Sequence, residues 1–444
     1  MLKRLPQEYL IHLILYISFI IFAFFLESPK EILNGLYNII SNSDILITDY
    51  ISIGGFGATL INSALLGLIF IFLFYITDTK STGKSIMSLW FLTGFGMFGK
   101  NIINIWPIVL GTFIYSKVKK KPFKDYLVIA SLGTALAPTV SQFSFFPGVH
   151  PISGAIMGAL VGIIVGFILP PIAKNASKIH SGFSLYNVGF AGGIIAIAVM
   201  SLMRAVGHDF ETNSIWHKGN NILYMLFLFT ISAYFIICSL ILDKSKKSVL
   251  KDQIGINKEH GIFPSDFFSI YGSSCYFNMG VLCIFSTLFV LLINGDLNGP
   301  TIGAIFSMAG FGCYGKNLAN SVPLIIGASL ASLISISDIN SPVTVVCILF
   351  STGLAPISGY YGWPYGIIAG FLHIFMVFNI GELHGGLNLY NNGLASGFVA
   401  AIIVPVIESL QVTNTKNNLK DSSKRHPISL GIKKEADLER SIRD

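Results

Sequence analysis

Uninterrupted apolar runs, set apart by Gly, Pro and short polar stretches, dominate this chain. "YLIHLILYISFIIFAFFL" (9–26) and "NILYMLFLFTISAYFIICSLIL" (221–242) each reach about 20 residues, enough to cross the hydrocarbon of a bilayer. The same reading predicts full crossings at 51–76, 126–145, 151–172, 183–205, 270–294, 342–357, 362–380 and 388–408. The segments 85–116 and 300–335 differ. Each holds two apolar limbs of about 15 residues around a Gly-Lys-Asn stretch. A limb of that length reaches roughly 22 Å, short of the ~30 Å hydrocarbon. Each segment is therefore expected to be a re-entrant hairpin, entering and leaving on one side. The expected fold class is an all-α integral membrane protein of about 10 transmembrane helices plus two re-entrant hairpins.

Three polar-punctuated blocks occur twice, in the same order. "GFGMFGKNIINIWPIVLG" from Gly94 is matched by "GFGCYGKNLANSVPLIIG" from Gly310, and "LAP" at Leu136 by "LAP" at Leu354. "HSGFSLYNVGFAGGIIA" from His180 is matched by "HGGLNLYNNGLASGFVA" from His384. The chain thus reads as an internal duplication. Residues 1–50 form a first span and loop, 51–205 repeat 1 and 206–269 a linker span and loop. Residues 270–408 form repeat 2, and 409–444 a polar tail.

Charge fixes the expected orientation. With both termini cytoplasmic, all but five of the 29 Lys and Arg residues fall inside, the exceptions being Lys30, Arg204, Lys218, Lys100 and Lys316. Glu27, Glu31, Asp44, Asp49, Asp296 and Asp338 fall outside. In this layout the lone span at 221–242 makes repeat 2 enter the membrane in the opposite sense to repeat 1, an inverted-topology repeat. Many carriers and channels are built this way, with the site where the halves meet. Composition agrees: 53% of residues are hydrophobic, 11% are charged, and mean hydropathy is +0.70, against about 25% charged in soluble domains. The five cysteines are scattered in apolar runs without a C-x-x-C pair, which reads as small buried hydrophobes. The apolar run at the N-terminus is long for a signal peptide and no small-x-small site follows, so an uncleaved first span is expected.

The string G-x-x-x-x-G-K at Gly94 and Gly310 resembles a phosphate loop. Asn101 and Asn317 stand where a Ser or Thr would hold Mg²⁺, and the flanks are apolar runs of membrane length, which argues against nucleotide use. The physics of the string still applies. Glycines let the backbone break and come close to a ligand, and a helix restarting after the break offers free N–H groups. Lys100, Asn101, Asn104, Lys316, Asn317 and Asn320 are accordingly candidates to bind solute. Interfacial snorkelling of the lysines, with glycines as close-packing contacts, is the plainer alternative. Tyr186, Asn187, Tyr390 and Asn391 open the second repeated block and are candidates to line the path, or to join helices by hydrogen bonds. His180, His384 and His373 are candidates for gating or proton relay, against ordinary loop or packing roles. No catalytic motif and no Cys/His metal spacing is present. Neither enzymatic activity nor a cofactor or metal is expected, and the cytoplasmic lysines need no nucleic-acid partner.

The blocks "GFGxxGKNxxNxxP" and "HxGxxLYNxGxAxG" resemble those of a family of duplicated bacterial integral-membrane proteins of unknown function, over about residues 50 to 408. The plan is also similar to urea-channel-type inverted-repeat transporters. Their Leu-Pro/Thr-Pro-Phe signature is missing here, so that likeness is architectural only. The expectation is a secondary transporter in the cell membrane for a small polar, anionic or carboxylate-bearing solute, bound between the two hairpin tips. A passive channel for a neutral solute such as urea or an amide is the second reading, and a non-transporting scaffold or sensor the third. Proteins of this build often assemble, so a homo-oligomer is a further candidate partner beside lipid and solute.

Overall fold

Helices account for nearly all the regular structure, as an apolar solvent demands: a backbone without water nearby must satisfy its own N–H and C=O groups. The structure is a computed structural model that describes residues 5–44, 47–210, 214–242, 246–263 and 265–425, without the side chains of 246, 247 and 412–425. In the first half run α1 (Gln7–Leu26), α2 (Pro29–Ser41), α3 (Tyr50–Gly54), α4 (Phe56–Ile76), α5 (Gly83–Phe95) and α6 (Trp106–Val118). Then come α7 (Leu127–Gly133), α8 (Ala137–Ser144), α9 (Pro151–Ile179), α10 (Asn187–Ala205) and the bridging α11 (Asn221–Leu242). The second half holds α12 (Lys246–Ile256), α13 (Phe267–Tyr271), α14 (Ser274–Leu292), α15 (Gly299–Gly310) and α16 (Leu318–Ser332). It ends with α17 (Pro342–Ser351), α18 (Ala355–Tyr361), α19 (Trp363–Leu383) and α20 (Asn391–Arg425). The sole sheet among the described residues pairs β1 (Ile47–Thr48) in parallel with β2 (Ser214–Ile215). All contacts below lie within the unit that ends at Ala401.

Among the described residues, ten helical stretches are long and apolar enough to cross a membrane, and each overlaps one of the ten predicted crossings. This is a multi-pass, all-helical membrane protein. Two crossings are broken by a single 3₁₀ turn: Thr134–Leu136 separates α7 from α8, and Thr352–Leu354 separates α17 from α18. In each the proline of the repeated "LAP" stands at the start of the second piece, where its missing N–H is harmless. The long helix α9 carries Pro170 and Pro171 internally and continues to Ile179, past the predicted end at 172.

The two segments between crossings are pairs of short helices, as their limb lengths require. Helices α5 and α6 have 13 residues each, α15 has 12 and α16 has 15. Helices α5 and α15 pack antiparallel with backbones in contact. A Cβ on Gly303 would strike the carbonyl of Gly94, one on Gly83 that of Cys313, and one on Gly299 that of Met97. Each short helix therefore begins beside the tip of the other. The same device joins the second limbs to their neighbours: Gly111 of α6 abuts the Ile163 carbonyl of α9, and Gly327 of α16 abuts the Ile367 carbonyl of α19. Flanking α5 and α15 are α1 and α11, with Trp90 set between Phe235 (5.1 Å) and Phe306 (5.0 Å) and bonded through Nε1 to His12 Nε2 at 3.0 Å.

Candidate functional site

The first repeated block forms two tips with one architecture. Gly99 (φ 72°) and Gly315 (φ 100°) hold a left-handed turn that a side chain would strain. After each glycine the lysine N–H returns to a phenylalanine carbonyl, Lys100 to Phe95 at 3.3 Å and Lys316 to Phe311 at 3.0 Å. The asparagines then cap one another. The N–H of Asn101 donates to Asn104 Oδ1 and that of Asn104 to Asn101 Oδ1, both at 2.9 Å, and Asn317 with Asn320 repeats these bonds at 2.9 Å. In the second tip this caps α16 and satisfies N–H groups that a helix start leaves open, and in the first it closes a turn ahead of α6, which begins at Trp106. Asn320 Nδ2 also donates to Gly315 O at 2.9 Å, and Asn104 Nδ2 to Gly99 O at 3.3 Å. The four candidate asparagines are thus engaged in building the tips.

A fifth and sixth asparagine, not expected from the sequence, stitch each tip to a preceding crossing. Asn62 of α4 donates through Nδ2 to Gly96 O and Lys100 O, both at 2.8 Å. Asn278 of α14 does the same to Gly312 O (2.8 Å) and Lys316 O (2.9 Å). The acceptors stand 34 and 38 residues downstream in both halves. That shared spacing was the available signal. Two aspartates were also missed in this role. Asp49 caps α3 and receives the N–H of Gly299 at 3.2 Å, while Asp266 caps α13 and receives that of Gly83 at 3.0 Å. Each half thereby caps the short helix of the other.

The tips do not meet each other, contrary to the expected site between them. They lie at opposite ends of the α5–α15 pair, and the halves meet again at the second repeated block. The N–H of Leu185 donates to Gly353 O and that of Leu389 to Ala135 O, both at 2.9 Å, so each half lays an extended stretch on the 3₁₀ turn of the other. This brings Tyr186 against Phe311 (5.1 Å) and Tyr390 against Phe95 (5.6 Å), with the tyrosine rings 4.7 Å apart. Phe91 lies 4.5 Å from Tyr390, and Phe350 5.6 Å. The result is an aromatic septum shared by both halves.

Behind it sit the two lysines, both fully buried and differently partnered. Lys316 Nζ donates to the Tyr186 hydroxyl and to Thr352 Oγ1 at 2.8 Å, over the rings of Tyr186 and Phe311 at 4.8 and 4.7 Å. Lys100 Nζ faces the rings of Phe91 and Phe95 at 5.3 and 5.0 Å and makes no hydrogen bond. By the repeat, Tyr390 and Thr134 are the counterparts of Tyr186 and Thr352. Neither bonds Lys100.

Two cavities reach this septum. The larger, about 620 Å³, is lined at its mouth by Lys84, Lys119, Lys121, Lys174 and Asp125, and at its deep end by Tyr186, Asn187, Phe311 and Tyr390. The smaller, about 110 Å³, runs from Ile47 and Ser214 to Phe350, Asn391 and Asn392. Their walls correspond under the duplication. Val128, Ile129, Leu132 and Ala173 of the large cavity have Val346, Cys347, Phe350 and Val377 in the small one. Leu185, Asn187, Val188 and Tyr314 have Leu389, Asn391, Asn392 and Phe98. Of the candidate residues, Tyr186, Asn187 and Tyr390 line the large cavity and Asn391 the small one. Lys100, Lys316 and the tip asparagines line neither.

The histidines are buried and dispersed. His180 accepts the N–H of Ser184 at 3.3 Å, His373 Nε2 lies 3.0 Å from Asn392 Oδ1, and His384 ends α19. None lines either cavity, and no cluster able to hold a metal ion occurs among the described residues.

No curated protein and no solved structure matches the chain. A family model does, in two stretches, residues 28–205 and 245–409, which hold both halves and leave α11 between them. The paired tips and exchanged stretches are therefore features of a protein that belongs to the DUF1576 family of proteins of unknown function.

Proposed function

We propose that this protein is a secondary carrier for a small anionic solute, working by alternating access between two inverted repeats. The observation that carries this reading is the pair of cavities, whose walls share the eight pairs of equivalent residues named above but whose volumes are about 620 and 110 Å³. Two halves of similar sequence in different conformations can exchange those conformations, which closes the large cavity and opens the small one. In this reading α5–α6 and α15–α16 are re-entrant hairpins from opposite faces. Lys84 near the start of α5 and Lys119 beyond the end of α6 line one cavity mouth, as a segment returning to its own side requires. The positive-inside rule assigns that mouth to the cytoplasm.

The solute class follows from the lining. Four lysines against Asp125 at the mouth attract anions electrostatically. The deep end offers aromatic faces and the Asn187 amide, which suits an organic anion with an apolar body and one or two polar groups. The septum between the cavities favours a carrier over an open channel.

The test uses two thiols in membrane vesicles. Cys347 lines the small cavity, and Ala173→Cys places a second thiol in the large one. Attaching a bulky maleimide to Ala173→Cys should wedge the large cavity open and stop an impermeant reagent from reaching Cys347 on the other face. Independent reaction of both thiols would select the channel. A Cys347 that never reacts would select the scaffold.

A further inference from the structure

One buried carboxylate stands outside the machinery described so far. Asp44 lies between α2 and β1, is 1% exposed, and holds the first tip. Its Oδ2 accepts from Asn104 Nδ2 at 3.0 Å and Asn101 Nδ2 at 3.3 Å, and its Oδ1 accepts from the Tyr50 hydroxyl at 2.9 Å. Its own N–H donates to Ser141 Oγ at 2.9 Å. Among the described residues, the groups facing it are few. Tyr50 is the titratable group from α3. From the tip come only amides, because the ammonium of Lys100 points at Phe91 and Phe95. From α8 come Ser141 and Gln142, the latter bonded to Ser43 at 3.3 Å. Asp49 is taken up by the N–H groups of Gly299, His217 and Ile51. Among the described residues no cation forms an ion pair with Asp44, so its charge is held by dipoles alone.

The second half lacks such a group. Asn317 Nδ2 donates instead to the carbonyls of Ile256 (2.7 Å) and Glu259 (3.2 Å). One of the two tip anchors can therefore titrate and the other cannot. Burial pushes the Asp44 carboxyl up to about 7, with the bonds from Tyr50, Ser141 and Asn104 opposing it. Its proton occupancy then changes across neutral pH. Position gives that change a consequence. Ile47 follows Asp44 by three residues, Phe98 precedes Asn101 by three, and both line the small cavity. The same wall is tied by the bridge from Asp49 to Phe98 and by the bond from Tyr50 N to Met97 O at 3.1 Å.

Building on the carrier reading, we propose that Asp44 is a proton-operated latch on the small cavity of this carrier. Ionised, it grips the Asn101 and Asn104 amides and keeps the small cavity shut. A proton entering from the face of that cavity adds to a carboxylate oxygen, weakens those charge-assisted bonds and lets the tip move.

The experiment follows Cys347 in vesicles with an impermeant maleimide, each rate divided by that of the unfolded protein at the same pH to cancel thiol ionisation. From about pH 8 to about pH 6 the wild-type ratio should rise about tenfold, following protonation of the carboxylate. In Asp44→Asn it should be high and flat. Tyr50→Phe removes a donor to the ionised form and should move the midpoint to higher pH, which keeps the test open if the asparagine variant does not fold. A flat wild-type ratio, or a rise that survives in Asp44→Asn, overturns the proton site. Loss of the mutual exclusion between Cys347 and Ala173→Cys would instead overturn the carrier reading.

Discussion

The unequal partnering of the two buried lysines gives a prediction with opposite signs in the two halves. Removing a water-accessible ammonium into a protein interior costs several kcal/mol. For Lys316 that is offset by two hydrogen bonds from a charged donor, to Tyr186 and to Thr352, worth about 1.5–3 kcal/mol each, and by two ring faces. Lys100 has the ring faces of Phe91 and Phe95 alone, which return about 0.5–2 kcal/mol apiece. Lys100→Met keeps the length and packing of the side chain while discarding the uncompensated charge. It should stabilise the protein, by up to about 1–4 kcal/mol if the gain matches that of replacing a buried ion pair with well-packed apolar groups. Lys316→Met strips two hydroxyls of their donor and should be neutral or destabilising by about 1–3 kcal/mol. Thermal unfolding in one detergent would separate the variants by several degrees. Both variants should nevertheless lose transport, because exchange of the cavities requires Lys100 to take up Tyr390 and Thr134 as Lys316 releases Tyr186 and Thr352. A Lys100→Met protein that melts below wild type would refute the reasoning, since it would show that Lys100 is stabilised by something other than two aromatic rings.

Two further outcomes follow. Asn62→Ala and Asn278→Ala each remove two bonds to tip carbonyls and leave those carbonyls buried, so each should cost about 2–4 kcal/mol; a silent substitution in either half would show that its tip is held otherwise. Burial pushes the Asp49 carboxyl up to about 6, against the N–H bonds it receives. A carboxyl raised in the fold favours folding at low pH, and that contribution fades as pH rises from about 4 through about 6. Asp49→Asn should reduce this slope in melting temperatures measured across the window without abolishing it, because the Asp44 carboxyl is raised over the same range, and an unchanged slope would exclude Asp49 as a contributor.

The crossings were legible because hydropathy and length suffice to mark them. The short helices were legible because about 13 residues fall short of a bilayer. Helix α2 escaped the hydropathy reading, although Ser28 with Glu31 forms a capping box that "SPKE" spells out. The tips were found, and their asparagines bond one another rather than standing free. Asn-x-x-Asn after a glycine turn is a reciprocal cap as readily as a ligand set, and only the coordinates distinguish the two. That the tips lie apart was beyond the sequence, because it depends on the antiparallel run of α5 beside α15 through Gly94 and Gly303. The unlike partners of Lys100 and Lys316 were equally hidden. Gly-Lys-Asn stands in both copies, while Phe91, whose ring Lys100 faces, has Ser307 as its counterpart, a difference that lies outside the repeated block.

The bonds from Leu185 to Gly353 and from Leu389 to Ala135 bear on ancestry. A half-length chain with this arrangement would present an open turn and a stray peptide arm, each unsatisfied in an apolar solvent. Such a chain is stable only when paired with a second copy that accepts its arm and offers one in return. The precursor of the fused gene would then have been an obligate pair, and severing the present chain within 206–220 should leave two pieces that function only when made together.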